Sequence, residues 1–389
     1  MQKYLRLILL FLVTCNYSSA ETKTFVREYT YQAGEYDSRL TCRAIAMAEA
    51  KRLLLEELGT YLKSSTTVQN GVVVSDDVSI YTAGAVQTKL VEEKWDGALY
   101  WIKVQMDADP DSVELAVKRL RADQGKAAEM ESLKVRSNLA LQEIAQLNQA
   151  LQQSGAQAVM LSYQIKYLEN ARKLSAVELS QQGMMALMKN DNTGALLAYS
   201  NALELDSNNT ANLVNRGVIY ARLGYYGKAI KDYNKALNYN IKDYKIHYNR
   251  GIAYYNLKEY TKAQIDFNHS IELKPEHAKS YFNRALAYEG MKYIKLALAD
   301  YGMALKLDSM DVQTYCNRGA LYQQQKLYGQ ALADYNKAIE VNHGFADAYL
   351  NRAGLFALKG DIEAALADAR KAAELGNEEA KLLLERLVP

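Results

Sequence analysis

Proline and phenylalanine are scarce in this chain of 389 residues, which contains 3 Pro and 6 Phe against 30 Tyr. Because disordered segments and many linkers are rich in proline, this scarcity argues against both. Few residues interrupt helices, and the helix-favouring Ala, Leu, Lys, Gln and Glu are common, so the composition predicts a mainly helical chain. Apolar residues make up 49% of the sequence, which is ample for a packed core and excludes a fibrous protein.

The apolar run near the N-terminus, Leu7 to Val13, is too short to span a bilayer. Lys3 and Arg6 precede it and the small residues Ser18-Ser19-Ala20 follow it, in the order of a secretory signal peptide. We therefore expect residues 1–20 to be removed and the mature protein to be exported, to the periplasm or the periphery of the outer membrane.

Cysteine is scarce as well, with 3 in the chain. Cys15 permits a second interpretation of the N-terminus, in which it carries lipid and anchors the protein to a membrane or the cell wall. Thr14 departs from the small residue that usually precedes a lipoprotein cysteine, so cleavage after Ala20 is preferred. Cys42 and Cys316 are far apart in sequence, and we expect two buried thiols in place of a disulfide.

The predicted mature chain has no net charge. Removal of residues 1–20 takes two of the 47 basic residues and no acidic ones, which leaves 45 basic residues against 45 Asp and Glu. Nucleic acids and anionic lipids are bound through a basic excess or a basic stripe. The sequence therefore predicts no nucleic-acid partner.

What the sequence does contain is a pattern that returns every 34 residues from Ala176 onward, in six copies without insertion. Position 20 is always alanine, at Ala195, Ala229, Ala263, Ala297, Ala331 and Ala365. Position 8 is always small, and position 24 is aromatic at Tyr199, Tyr233, Phe267, Tyr301 and Tyr335. Small residues at fixed places let two short helices approach closely, and the aromatic residues fill the space beside them.

Runs such as Asn215-Arg216-Gly217-Val218-Ile219-Tyr220 resemble the tetratricopeptide repeat family, and six agreeing registers make the resemblance specific. It covers residues 176–379 and implies a right-handed stack of helix-turn-helix units with a concave groove. The first copy departs from the family pattern at Ala186 and Asn192, where aromatic residues usually stand, and is interpreted as an end cap. Residues 380–389 are predicted to form a closing helix over the last repeat.

The segment ahead of the repeats, residues 124–175, shows heptad spacing from Met130 to Leu168. This spacing favours a coiled-coil stalk, which would join two copies as a homodimer through residues 130–168. Gly155 and three serines weaken the seam. A long helix folded back on its neighbours is the alternative.

Residues 21–123 are predicted to form a small α+β domain. Because the helical segment and the repeats make up most of the chain, the predicted fold class is mainly α. The expected elements are a strand from Thr24 to Gln32, a helix from Ser38 to Lys63, the start of a second helix at residues 76–82, a hairpin of residues 86–94 and 98–108, and a last helix from Asp109 to about Leu120. Asp96-Gly97 closes the hairpin as a type I′ turn. The order of elements is similar to the N-terminal domain of the flagellar assembly protein T family.

Catalytic and metal-binding patterns are absent from the sequence. The histidines lack the spacing of a zinc site and are interpreted as surface or groove residues: His247, His269, His277 and His343. There is no Cys-x-x-Cys, no Gly-rich phosphate loop before a helix and no Gly-x-Ser-x-Gly elbow. The sequence therefore predicts a protein that is not an enzyme and that has no catalytic residue, metal or cofactor.

Position 6 is asparagine in five successive copies, at Asn215, Asn249, Asn283, Asn317 and Asn351. In the family this position faces the groove, so the resemblance implies a row of amides that can donate to and accept from the backbone of an extended peptide. Tyr248 and Phe282 at position 5, and Lys245 and Lys279 at position 2, would line the same groove. A structural bond of each asparagine within its own repeat is the alternative.

Two further positions vary together. Arginine at position 7 accompanies aspartate at position 23 in the last five copies, and the first copy has neither. We expect an Arg–Asp contact between the two helices of a repeat, which would contribute about 0.2 to 1 kcal/mol if exposed.

These features predict an exported interaction scaffold or assembly factor of the bacterial envelope, which binds an extended peptide or a partner protein in its groove. The alternative function is a lipid- or wall-anchored structural component of the envelope without a specific peptide ligand.

Overall fold

The computed structural model describes residues 22–34, 37–65, 86, 88–109, 113, 124–153 and 157–387. Within these residues the chain is mainly helical, with fifteen helices and three strands. It divides into two units, Met1–Ser207 and Asn208–Pro389, which we call the N-terminal unit and the repeat unit. The signal segment, the second helix expected at residues 76–82 and most of the helix expected from Asp109 lie outside the described residues.

The N-terminal unit begins with an antiparallel sheet and a long helix. Strands β1 (Lys23–Gln32), β2 (Thr88–Trp95) and β3 (Leu99–Ala108) pair in the order β1-β3-β2, and α1 (Arg39–Ser65) follows β1. The predicted hairpin forms, but its type I′ turn at Asp96-Gly97 is wrong: Gly97 has a φ of +97°, whereas Asp96 does not have a positive φ, and a type I′ turn needs both. The N–H group of Asp96 donates to the Leu99 carbonyl, so Gly97 and Ala98 are the central residues of the turn. Asp96 Oδ1 accepts hydrogen bonds from the N–H groups of Ala98 and Leu99.

One face of the sheet packs against α1. Alternate residues of β3 are buried because successive side chains of a strand point to opposite faces. The buried residues of β3 are Tyr100, Ile102, Val104 and Met106, and those of α1 are Cys42, Ala46, Ala50, Leu54 and Leu58. The spacing of four along α1 places its apolar residues on one stripe. Cys42 is thus a core residue, and it and Cys316 are free, buried thiols, as expected.

Helices α2 (Gln124–Gln153) and α3 (Gln157–Met188) pack against each other as an antiparallel hairpin. The seam residues of the predicted coiled coil are buried in this hairpin: Met130, Leu133, Ala140 and Ile144. The α2 half of the seam is thus buried within one chain, as in the folded-back alternative, whereas Ile165 and Leu168 of the α3 half are 51% and 46% exposed. Homodimerisation through residues 130–168 stays a prediction.

Helix α3 runs without interruption through residue 176, so the boundary predicted between stalk and repeats is not a helix end. Its last turns pair with α4 (Asn192–Leu205), the second helix of the first copy. The small residue at position 8 allows this pairing, because a Cβ on Gly183 would lie 2.9 Å from the ring of Tyr199.

The repeat unit consists of five helix pairs and a closing helix. The first helices are α5 (Thr210–Arg222), α7 (Tyr244–Asn256), α9 (Ala278–Gly290), α11 (Val312–Gln324) and α13 (Ala346–Leu358). The second helices are α6 (Tyr226–Leu237), α8 (Tyr260–Leu273), α10 (Ile294–Leu307), α12 (Tyr328–Val341) and α14 (Ile362–Glu374). Helix α15 (Glu378–Leu387) corresponds to the predicted closing helix, with Ala380 buried against the last pair.

Candidate functional site

Positions 2, 5, 6 and 9 lie on one side of each first helix, because side chains three, four and seven residues apart share a helix face. Helix α5 contacts α7, α7 contacts α9, and α11 contacts α13, so these sides adjoin along the repeat unit. We call the surface formed by positions 2, 5, 6 and 9 of the first helices the groove face. All the site residues predicted from the sequence lie on it.

The five asparagines of the groove face are half-buried. Asn283 donates through Nδ2 to the Tyr248 hydroxyl at 3.1 Å and to the Lys279 carbonyl at 2.9 Å. Asn317 and Asn351 lie close enough to the Tyr301 hydroxyl and the Cys316 thiol to oppose the rise in pKa that burial causes in each. In each of these three cases the neighbouring side chain belongs to the preceding repeat.

These bonds change what the asparagines offer to a ligand. An amide has two N–H groups and one carbonyl oxygen, and Asn283 uses both N–H groups internally. Its carbonyl oxygen can still accept a hydrogen bond from a peptide N–H group. The asparagines therefore join neighbouring repeats and also present acceptors, which combines the two interpretations that the sequence left open.

An Arg–Asp pair joins the two helices of every repeat in the repeat unit, as positions 7 and 23 predicted. The pairs are Arg216–Asp232, Arg250–Asp266, Arg284–Asp300, Arg318–Asp334 and Arg352–Asp368. Nε and Nη2 of each arginine donate to the two carboxylate oxygens at 2.6–2.8 Å. The carboxylates are only 1–11% exposed, so the estimate for an exposed pair does not apply, and loss of one partner would be more costly than at the surface.

Some of these arginines also bond to the second helix of the preceding repeat, a contact that the sequence reasoning missed. Nη1 donates at 2.6–2.7 Å in Arg250–Asn234, Arg284–Asn268 and Arg352–Asn336. The asparagines stand at position 25, and their recurrence at that position was the signal that could have revealed the contact. One guanidinium thus ties three helices and fixes the angle between successive repeats.

A cluster of aromatic rings lies beside the groove face between the third and fourth repeats. The ring of His277 lies 4.9 Å from that of Tyr248 and 5.0 Å from that of Tyr244, edge-on in both cases. Nδ1 of His277 is 2.8 Å from Oγ of Ser280, which orients the imidazole. The hydrogen bond from Asn283 holds the Tyr248 hydroxyl in place.

Three lysines surround this cluster. Nζ of Lys274 lies 4.8 Å from the centre of the Tyr244 ring, and Lys245 and Lys279 are exposed at position 2 of their helices. Burial, followed by the positive charges of the three lysines, holds the pKa of His277 below its usual range, and Glu276 opposes this effect. The imidazole is therefore neutral near pH 7. The sequence did not predict Tyr244 and Lys274 as site residues, because they stand at helix ends and not at positions 2, 5, 6 or 9.

His247 does not lie in the groove, and the expectation for this histidine was wrong. It is 5% exposed, with Nδ1 at 3.3 Å from Asp266 Oδ1 and Nε2 at 3.1 Å from the Ile241 carbonyl oxygen. The reason is that His247 stands at position 4, which points toward the second helix and the Arg250–Asp266 pair. It is a structural residue.

The N-terminal unit contains a cavity of about 240 Å³ between α1, α2 and α3. Nζ of Lys51 in its wall donates to Gln181 Oε1 at 2.7 Å, and burial lowers the pKa of this lysine. The neighbouring Arg52 is already paired with Glu49 and Glu56. The lining has no histidine or cysteine, the residues from which many nucleophilic and metal sites are built.

The thiol in the described part of the repeat unit, that of Cys316, is not activated. Burial raises the pKa of the Cys316 thiol to about 12, so it is protonated and a poor nucleophile near neutral pH. Across all the described residues, no three His, Cys, Asp or Glu side chains come together to hold a metal ion. No helix among them is long and apolar enough to cross a membrane.

Family models match the central part of the repeat unit. One model described as Tetratricopeptide repeat matches residues 244–277 and, separately, residues 312–345. A second model with the same description matches residues 278–309. A third, described as TPR repeat, matches residues 217–258. No curated protein sequence matches this chain.

Several solved structures share the fold. PilW, described as a widely conserved type IV pilus biogenesis factor, is 19% identical over 54% of this chain and 98% of its own, with a TM-score of 0.50. A tetratricopeptide repeat protein from Parabacteroides merdae is 24% identical over 63% and 98% of the two chains, with a TM-score of 0.45. Pseudomonas aeruginosa pilF is 20% identical over 56% and 94%, with a TM-score of 0.47. At these identities the likeness concerns the fold alone.

Proposed function

Because residues 217–345 of this chain are tetratricopeptide repeats, we propose that it is an exported interaction scaffold of the bacterial envelope that binds an extended peptide on its groove face. The observation that carries the proposal is the groove face itself. It presents amide oxygens, aromatic rings and apolar side chains along five successive first helices.

The groove face suits an extended peptide for two reasons. Acceptors such as the Asn283 carbonyl can bind peptide N–H groups without selecting side chains. Apolar residues at positions 5 and 9 provide surfaces for side chains of the peptide, and they include Val214, Phe282, Leu286 and Leu350. Aromatic and apolar anchors supply most of the binding energy at interfaces of this kind.

The envelope part of the proposal rests on residues 1–20, whose pattern is that of a secretory signal peptide. Expression of the full chain with intact-mass measurement of the product tests this part. We expect the mass of a chain that begins at Glu21. Lipid on Cys15, or co-sedimentation of the mature chain with peptidoglycan, would instead support the anchored structural component, and a product that keeps Met1 would contradict export.

The groove assignment can be tested with two identical substitutions at helical glycines. Gly354 stands at position 9 on the groove face, whereas Gly329 stands in the first turn of a second helix, α12. A Cβ built at either glycine meets no atom within 4 Å. Gly354→Arg therefore blocks the groove face without an internal clash, and Gly329→Arg is the matched control.

The mature chain is first used to recover partners from envelope extracts. Each partner is then identified, purified and titrated against both variants by calorimetry. We expect Gly354→Arg to weaken the affinity by about tenfold or more, because a bulky charged side chain displaces the peptide. Gly329→Arg should bind as the unmodified chain does. Equal affinities of the two variants would contradict a peptide that extends along the groove face as far as α13.

A further inference from the structure

The junction of the third and fourth repeats differs in charge from the rest of the groove face. Position 2 is lysine at Lys245 and Lys279, whereas the other first helices of the repeat unit have Ala211, Gln313 and Asp347 there. Lys274 adds a third ammonium group from the end of α8. Positive charge is thus confined to the middle of the groove face.

These ammonium groups are not neutralised by the protein. Within the described residues, Lys245, Lys274 and Lys279 form no ion pair at the distances that define the other pairs of the repeat unit. Glu276 is the acidic group that raises the pKa of His277, against the effect of the three lysines. Asp243 is also near in sequence, but its carboxylate accepts the Lys245 backbone N–H at 2.9 Å as the cap of α7.

Polar donors and rings stand among the lysines. The Tyr248 hydroxyl is oriented by Asn283, and His277 stacks edge-on against Tyr248 and Tyr244. Anions are bound best by several donors that are already held in place, because little order is lost on binding. Tyr248 is half-buried, which weakens the screening of the nearby charges by water.

Apolar positions continue on both sides of this junction. Val214 and Val218 precede it on α5, and Ala320 and Leu350 follow it on α11 and α13. A ligand that ends at the lysines would leave one of these flanks uncovered. The groove face therefore fits a chain that passes through the junction better than one that terminates there.

We propose that the junction of Tyr244, Tyr248, His277 and the three lysines binds internal Asp or Glu side chains of an extended peptide whose flanking residues are apolar. This assignment rests on the proposed peptide-binding function and names the chemistry of its ligand. The carboxylates pair with Lys245 and Lys279 and accept from the Tyr248 hydroxyl. The apolar residues on either side of the acidic segment contact positions 5 and 9 of the neighbouring repeats.

The test uses the full mature chain and three labelled peptides of Leu, Val and Ser residues that differ only at the centre or the C-terminus. The first has a central run of Glu and a C-terminal amide, the second has Gln in place of Glu, and the third has the Gln centre with a free C-terminal carboxylate. Fluorescence anisotropy measures the affinity of each at low and at raised salt. The variant Lys245→Gln with Lys279→Gln is compared with Lys231→Gln with Lys295→Gln, which removes two exposed lysines from second helices.

We expect the Glu peptide to bind about tenfold more tightly than the Gln peptide, as a few partly exposed ion pairs would give, and to lose this advantage at raised salt. Lys245→Gln with Lys279→Gln should abolish the preference, and the second-helix variant should keep it. Equal binding of the Glu and Gln peptides would overturn the assignment and leave the peptide groove standing. Preference for the free C-terminus over the Glu centre would also overturn it, and no binding of any peptide would overturn both proposals.

Discussion

Arg318 faces a glycine where its counterparts in three other repeats face an asparagine: a Cβ built on Gly302 would lie 3.8 Å from Nη1 of Arg318. Arg250, Arg284 and Arg352 each donate Nη1 to an asparagine of the preceding repeat at this point. The junction of the fourth and fifth repeats therefore lacks one bond of the series, although the Arg318–Asp334 pair is intact.

Gly302→Asn should supply the missing bond. We expect it to raise the free energy of unfolding by about 1 kcal/mol more than Gly302→Val does, because valine has a similar helix propensity but no acceptor. Urea unfolding of the full chain measures both variants. Equal midpoints would mean that the asparagines at position 25 do not hold neighbouring repeats together.

The buried acids of the repeats should be far more sensitive to substitution than the surface ion pairs. Asp266 is 1% exposed and accepts from Arg250 at 2.6 and 2.8 Å. Asp266→Ala leaves the largely buried Arg250 guanidinium without its carboxylate, although Arg250 still donates to Asn234, so we expect a loss of about 3 kcal/mol in the free energy of unfolding. Glu340→Ala removes an exposed partner of Lys337 and should change it by less than about 0.5 kcal/mol.

The same pair permits a stricter test. Replacement of both partners, as Arg250→Met with Asp266→Leu, removes the stranded charge and should recover part of the loss seen for Asp266→Ala. A double variant as unstable as the single one would show that the pair acts by packing and not through its charge.

The pKa of His277 gives the repeat unit a stability that depends on pH. Because burial and three lysines lower this pKa in the folded state, the unfolded chain binds more protons in the interval between the folded pKa and about 6.5. Stability contributed by His277 is therefore complete above about pH 6.5 and is lost as the pH falls through that interval. His277→Gln should flatten the dependence of the thermal midpoint over this range, and His343→Gln, at an exposed histidine, should not.

The lysines can be tested by the same titration. Lys274→Gln should move the pKa of His277 upward when it is followed by NMR of the imidazole, since Lys274 is the largest of the charged influences on it. An unchanged pKa would place Lys274 away from the cluster and would remove one cation from the proposed acidic-peptide site.

The sequence allowed much of the repeat unit to be predicted because its signals are local and repeated. A period of 34 residues fixed the helix pairs, and paired variation at positions 7 and 23 predicted contacts such as Arg216–Asp232. The hairpin of β2 and β3 followed in the same way from the turn at Gly97. In each case the residues that determine the structure are a short, constant number of positions apart in the sequence.

The predictions that failed concern contacts between elements whose register is not repeated. Ile144 of the heptad seam is buried against its own chain, and heptad spacing alone does not distinguish that contact from one with a second copy. His247 was predicted to be a surface or groove residue, because one histidine among aromatic residues at position 4 gives no local signal of burial. The His277 cluster draws on the ends of α7, α8 and α9, which no single helical period connects.

A polar network in the N-terminal unit offers a last prediction. Asp37 accepts hydrogen bonds from the hydroxyl groups of Tyr167 and Tyr31, from that of Thr41 at 3.1 Å and from the Gly34 N–H at 2.7 Å. Tyr167 is 1% exposed, and burial followed by its hydrogen bond to Asp37 raises its pKa, so the hydroxyl remains a donor at neutral pH. This bond joins α3 to the segment that precedes α1.

Tyr167→Phe should therefore destabilise the N-terminal unit by about 1 kcal/mol, because the half-buried Asp37 carboxylate loses the hydrogen bond from a buried hydroxyl group. Tyr163→Phe, one turn earlier on α3 at a half-buried site, removes the same hydroxyl group without touching Asp37 and should change stability by less than about 0.5 kcal/mol. Hydrogen exchange of α1 and α3 measures the effect in the unit concerned. Equal protection in the two variants would mean that apolar contacts such as Ile45 with Leu174 hold α3 in place without the Asp37 network.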